Sequence, residues 1–270
     1  MHRALHSVVV RLFTLLLLCS GPLTMASSQP AGVALPGLEP FDEAMHDIVH
    51  TWQVPGAGLA VAQDSRLLLA RGYGVANQEK QEPVQPTSLF RLGSLTKTVT
   101  AVAILQLVEA GRLKLDDQVL PSRAALGPQP EKIMDVRVRD ITVRHLLQHS
   151  AGWERGQSGD PPCLPYAAAV LRRQGGPAPP DCPMILRDAL EQRLDFAPGT
   201  QHAYSNVGSC LLGRIVARVS GMAFSDFVRK RICARAGAQR LQWGRTRRPT
   251  GSDVLRLPWC LSRRGDAGYW

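Results

Sequence analysis

The sequence predicts an α+β fold, with a strand pair near the front and a mostly helical middle. Residues 57–62 and 66–75 are rich in small and apolar side chains on either side of Gln63-Asp64-Ser65, as the arms of a β-hairpin are. Residues 98–109 then place Val99, Val102, Ala103, Leu105, Leu107 and Val108 in an apolar helical run. A sheet needs more than one hairpin, and its partner strands are not evident in the sequence. With 270 residues and 44% hydrophobic content, the chain has ample material for a buried core.

The N-terminus differs from the rest. Arg3 and Arg11 precede an apolar run from Leu12 to Cys19 that is too short to span a bilayer. Residues 1–26 are therefore expected to be a signal peptide cleaved after Ala26, where Thr24-Met25-Ala26 offers small residues. A lipoprotein reading of Cys19 is disfavoured by the bulky Leu18 before it. The expected location is secreted or periplasmic, with no stable membrane span after cleavage. Export permits disulfides. Cys163 and Cys182 flank a Pro/Gly-rich stretch, and a bridge between them or two unpaired thiols are both open. Without Cys19 five cysteines remain, so at least one stays unpaired within the chain.

Along the mature chain, residues 41–52 read as a helix ended by the turn Val54-Pro55-Gly56. The helix over 98–109 is closed by Gly111, which suits a left-handed cap. A short helix over 143–148 is capped by Thr142 and broken at Ser150-Ala151-Gly152. Residues 155–183 are dense in Pro and Gly and read as one long loop. Helices follow over 184–192, 208–219 and 224–235, with Gly221 ending the middle one.

The formal charge of +10 would suit nucleic acid or an anionic membrane if it were spread over the fold. It is not. Residues 229–270 hold 11 Lys and Arg against 2 Asp and Glu, a net of +9, which leaves +1 for residues 1–228. No nucleic-acid partner is expected. Residues 237–270 form a basic tail that carries Trp243, Trp259 and Trp270 with almost no periodicity. Two explanations stay open: binding of anionic lipid or polymer, and a frameshift. For the second, permitted codons for Leu255 to Cys260 read one base later as Tyr-Asp-Tyr-Pro-Gly.

Two segments could carry chemistry. Ser94-Leu95-Thr96-Lys97 opens the apolar helix, and its serine and lysine stand three apart, hence on one helical face. A serine hydroxyl becomes a good nucleophile when a neighbouring base takes its proton. A lysine serves as that base only when neutral, which burial and the positive end of a helix dipole both favour. An S-x-x-K pattern arises about once by chance in a chain of this length. Here it is the only match, and its lysine is one of five in the chain, set against 27 arginines. The second segment, Pro198 to Asn206, is a turn leading into an apolar helix. Within it Tyr204 is a phenol able to relay a proton, followed two places later by Asn206.

These segments resemble the serine beta-lactamase family, which includes class C beta-lactamases, D-alanyl-D-alanine carboxypeptidases and related esterases. Supporting runs are Pro55-Gly56-Ala57-Gly58, Arg71-Gly72-Tyr73-Gly74, Leu89 to Ser94, Leu113 to Asp117, Leu146 to Gly152 and Pro198-Gly199-Thr200, over roughly residues 40–235. The resemblance implies a beta-lactamase/transpeptidase-like fold, an antiparallel sheet packed with helices plus a helical subdomain, over residues 27–236. It implies Ser94 as acylated nucleophile, Lys97 as proton acceptor, Tyr204 as relay, and Asn206 orienting substrate or Lys97. His149-Ser150-Ala151-Gly152 departs from the family's His-Thr-Ser-Gly and is given a structural role.

The family's third element, Lys or His followed by Thr/Ser and Gly on a closing strand, has no counterpart; Pro249-Thr250-Gly251 is the nearest run. The expected domain is therefore incomplete, with its C-terminal sheet strands missing. The implied substrate is a beta-lactam, a peptidoglycan-derived D-Ala-D-Ala end or a small ester, cleaved through an acyl-enzyme. The alternative is a catalytically defective fragment or a penicillin-binding receptor of the same fold. Metal hydrolysis is the remaining class, prompted by the pairs His46/His50 and His145/His149. Neither pair has the glutamate that the zinc-protease motif needs, so no metal or cofactor is expected.

Overall fold

The computed structural model of the chain describes residues 29–120, 133–159, 164–176 and 180–241. The expected signal segment, Cys163 and residues 242–270 of the basic tail lie outside the described residues. The chain divides into two compact units between Phe90 and Arg91.

In the first unit, helix α1 (Glu39–Thr51) begins with Glu39 and Asp42 in its first turn, where the helix dipole favours acids, and has Pro40 at a position that loses no hydrogen bond. Strands β1 (Gly56–Gln63) and β2 (Arg66–Asn77) pair antiparallel, with Gly56 opposite Gly74 and Gln63 opposite Arg66. Asp64 and Ser65 both sit at positive φ, 50° and 62°, the backbone a tight right-twisting hairpin turn demands. The partner strand that the sequence does not reveal is β3 (Glu82–Pro83), antiparallel to β2. Two residues are too few for any period to register. Gly72 is required by packing, because a Cβ there would run into the Val84 carbonyl.

One polar cluster joins α1 to β2. Arg71, 6% exposed, reaches Asp42 at 3.1 Å and the Gly32 carbonyl. The Tyr73 hydroxyl donates to the same Asp42 carboxylate at 2.5 Å, and the His46 ring meets Tyr73 edge-on at 5.8 Å. Asp42 and His46 stand one turn apart and so share a face. Burial, reinforced by the hydrogen bond to Asp42, pushes the Tyr73 phenol up to about 12. The Tyr73 hydrogen bond, with help from Arg71, holds Asp42 below the ordinary carboxylate range.

The second unit is helical. It contains α2 (Thr96–Glu109), α3 (Val143–Leu147), α4 (Leu164–Gln174), α5 (Cys182–Leu190), α6 (Asn206–Ser220) and α7 (Phe224–Phe227), which continues into a π-helical turn over Val228–Cys233. The sequence reads residues 155–183 as loop, yet α4 lies inside them. Its Arg173 makes a two-pronged pair with Asp188 of α5, at 2.6 and 2.7 Å. Asp188 is 1% exposed, so this tertiary pairing anchors α4 to α5. The expected helix over 224–235 is divided into a short α-helix and the π-helical turn.

Helix α6 packs against α2, α3, α5 and α7. Every residue from Asn206 to Gly213 is buried, as befits a helix apolar around most of its circumference. Ser205 caps its start by accepting the Gly208 N–H at 3.3 Å, and Gly221 ends it in the left-handed conformation, φ 71°. Ile104 and Leu107 of α2, Leu146 of α3, Leu186 of α5 and Leu211 and Val216 of α6 belong to one core. Each such side chain contributes about 1.5–3 kcal/mol through burial. The disulfide joins Cys182 of α5 to Cys210 of α6. This corrects the pairing of Cys182 with Cys163: the helix-to-helix packing, which spacing does not report, brings Cys210 to it. Cys233 is buried and is the free thiol among the described residues.

Candidate active site

Ser94 lies in a short 3₁₀ turn, Gly93–Leu95, that runs directly into α2. Gly93 enters it with φ 52°. A left-handed residue at this bend is easiest for glycine. The Thr96 hydroxyl donates back to the Gly93 carbonyl at 2.7 Å and fixes the bend. Ser94 is thereby presented, exposed, at the positive end of a 14-residue helix.

Tyr204 reaches the same place from an extended segment whose end is set by the Ser205 cap of α6. Its hydroxyl donates to Ser94 Oγ at 2.7 Å. Lys97, one turn after the serine, points Nζ at Ser94 Oγ at 3.4 Å and at Asn206 Oδ1 at 2.5 Å. Lys97 Nζ also lies 4.8 Å from the Tyr204 ring centroid. Asn206 is the first residue of α6 and is 4% exposed. The four residues singled out in the sequence thus meet at one point, Lys97 being bridged to both segments.

Two of the other histidines have partners of their own. His145 caps α3 reciprocally: its ring Nδ1 accepts the Thr142 N–H at 3.3 Å, while Thr142 Oγ1 accepts the His145 N–H at 3.3 Å. His46 packs on Tyr73 in the first unit. Among the described residues no group of three or more His, Cys, Asp or Glu is placed to hold a metal ion. Among them also, no single helix is long and apolar enough to cross a membrane.

Two features of the site are not legible in the sequence, which gives the run around His149 only a structural role. His149 sits against the Tyr204 ring, 4.8 Å between centroids. In addition, a cleft of about 280 Å³ is lined by Glu154, Arg155, Gly156, Gln201, His202, Ala203 and Tyr204. Tyr204 therefore has Ser94 Oγ at its hydroxyl and the cleft along its flank. The segments that form the cleft flank two motifs the sequence displays, His149 to Gly152 and Pro198 to Thr200. Only their chain proximity to those motifs could have signalled it.

Ser94 Oγ is thus flanked by Lys97 Nζ and Tyr204 Oη, at 3.4 and 2.7 Å. Residues 41–255 match the Beta-lactamase family model, and the chain belongs to that family. It is 32% identical to Penicillin-binding protein 4 of Amycolatopsis lactamdurans over 250 residues, which cover 85% of this chain and 55% of that protein. It is also 32% identical to Esterase EstB of Burkholderia gladioli over 202 residues, covering 70% of this chain and 46% of the relative. The chain thus spans about half the length of these curated relatives. Among solved structures, the octameric penicillin-binding protein homologue from Pyrococcus abyssi superposes with a TM-score of 0.58 at 29% identity. That match covers 74% of this chain and 43% of the homologue. The beta-lactamase/transpeptidase-like fold follows from these matches together with the antiparallel sheet and helical unit described above.

Proposed function

We propose that this chain is a serine hydrolase that works through an acyl-enzyme. Ser94 Oγ attacks a substrate carbonyl carbon as its proton passes to the neutral Lys97 amine, giving a tetrahedral oxyanion. Tyr204 then delivers a proton to the leaving group, the carbonyl reforms and an acyl–Ser94 ester remains. Water attacks that ester and releases the acid, with the same residues moving the protons in the opposite sense. The observation that carries this reading is the convergence of Tyr204 Oη and Lys97 Nζ on Ser94 Oγ, at 2.7 and 3.4 Å. The N-terminal end of α2 favours negative charge developing beside Ser94.

The substrate class follows from the same chemistry and from the names of the relatives: an activated or strained carbonyl in a beta-lactam, a D-Ala-D-Ala-type peptide end or a small ester. A secreted or periplasmic location is supported by the apolar N-terminal run and by the Cys182–Cys210 disulfide, a linkage at home in oxidising compartments.

Labelling with a fluorescent penicillin and with a fluorophosphonate tests the proposal, with the modified peptide located by mass spectrometry. The expected adduct is on Ser94 and is absent from Ser94→Ala. Label that persists in Ser94→Ala, or wild-type protein that takes neither probe, overturns the assignment. The decay of the label separates turnover from stable acylation.

A further inference from the structure

Tyr204 acts only if its hydroxyl stays within hydrogen-bond reach of Ser94, yet it stands on an extended segment outside any helix. That segment is held from one residue 56 positions away from Ser205 in the chain. The main-chain carbonyl of His149 accepts the Ala203 N–H at 2.8 Å. The ring Nδ1 of His149 accepts the Ser205 N–H at 3.2 Å. Between these two bonds the His149 ring lies along the Tyr204 ring, with centroids 4.8 Å apart and planes tilted by 33°. The His202 ring meets His149 edge-on at 6.0 Å.

His149 does this from a left-handed backbone, φ 55°. Few residues other than glycine adopt it, His and Asn among the more tolerant. Its neighbour Ser150 is tied into the same region, donating its N–H to the His145 carbonyl and accepting the Gly199 N–H, each at 2.8 Å. The strained residue is thus set between two fixed points and turned onto the 203–205 segment. Outliers of this kind gather where function needs a group held in place.

We propose that His149 is a positioning residue for Tyr204, gripping the chain on both sides of it through a main-chain carbonyl and an unprotonated ring Nδ1. The inference rests on Tyr204 serving Ser94 as proposed above. It assigns the imidazole the tautomer with its proton on Nε2, since a nitrogen that accepts an N–H cannot itself carry a proton. His149 holds the segment that carries Tyr204, and its effect is on where the phenol stands. Displacements of about 1 Å in a catalytic group cost up to about 100-fold in rate.

Two variants separate the parts of the grip. His149→Asn tolerates the left-handed backbone and offers an amide oxygen near the place of Nδ1, whereas His149→Phe keeps a ring on Tyr204 and has no acceptor. Steady-state hydrolysis of a small chromogenic ester is expected to show kcat of His149→Phe lowered roughly 10- to 100-fold at unchanged KM, with His149→Asn retaining kcat to within a few-fold. Unchanged kcat in His149→Phe, a loss confined to KM, or equal losses in both variants overturns the inference. Nitrogen NMR of the wild-type imidazole supplies a reading independent of activity and of how well a variant folds. An unprotonated Nδ1 is expected, and a protonated one overturns the assignment. Wild-type protein that takes no fluorophosphonate at Ser94 marks failure of the hydrolase reading itself. A labelled wild type with an insensitive His149 marks failure of this inference alone.

Discussion

Asn206→Ala removes the side chain that Lys97 Nζ contacts at 2.5 Å. Asn206 is 4% exposed, so water replaces the lost oxygen poorly. When Lys97 takes the proton of Ser94, the acceptor at Asn206 Oδ1 changes from a partner of a neutral amine to a partner of a cation. A neutral hydrogen bond contributes about 1 kcal/mol and one to a charged group about 1.5–3 kcal/mol. The part gained only as charge develops is the difference, about 0.5–2 kcal/mol, which corresponds to about 2- to 30-fold in the acylation rate. The expected outcome is a fluorophosphonate labelling rate lowered by that factor. KM for a small ester should change less than kcat, because Asn206 contacts the base. A labelling rate equal to wild type refutes the reasoning, and so does a loss expressed wholly in KM. A melting curve on the same sample shows whether the start of α6 still folds.

The remaining predictions concern stability. Cys182 and Cys210 close a loop of 28 residues, and losing that cross-link frees about 3.5 kcal/mol of denatured-chain entropy. Reduction, or the double change Cys182→Ser with Cys210→Ser, is expected to lower the thermal midpoint by roughly 10 °C in calorimetry; an unchanged midpoint contradicts the packing of α5 on α6. The hydrogen bonds from Arg137, chiefly those of its guanidinium, together with the Leu194 N–H, bring the Asp135 carboxyl down to about 2, against an ordinary 3.8. Because its folded value is depressed, its contribution is complete above about pH 4 and is lost as pH falls through about 2. Wild-type stability should therefore fall across that window, and the gap between wild type and Asp135→Asn should narrow there. A gap equal at pH 6 and pH 2, measured by urea unfolding, counts against it.

Much of the local structure is legible because short-range physics decides it. The left-handed caps Gly111 and Gly221 stand where the periodic runs end, with φ 67° and 71°. Thr142 caps α3 with its own hydroxyl. The hairpin turn is visible because the polar run Gln63-Asp64-Ser65 separates two segments rich in small and apolar residues. Strand β3 escapes because two residues show no period, and α4 escapes because Pro and Gly crowd the segment around it. Its pairing with Asp188 is a tertiary contact that propensity does not contain.

For the site, residue type and spacing singled out Ser94 and Lys97, and the 3₁₀ turn that runs directly into α2 keeps them one turn apart, at 3.4 Å. The motif around Tyr204 and Asn206 marked them as candidates, but their distances to the serine and lysine are properties of how α6 packs on α2. The same holds for the partner of Cys182 and for His149, whose ring finds that of Tyr204, 55 positions further along the chain. Local backbone and side-chain chemistry is written into neighbouring residues. Contacts between distant segments arise only when the shared core of α2, α3, α5 and α6 fixes where each helix starts, and so only the tertiary structure decides them.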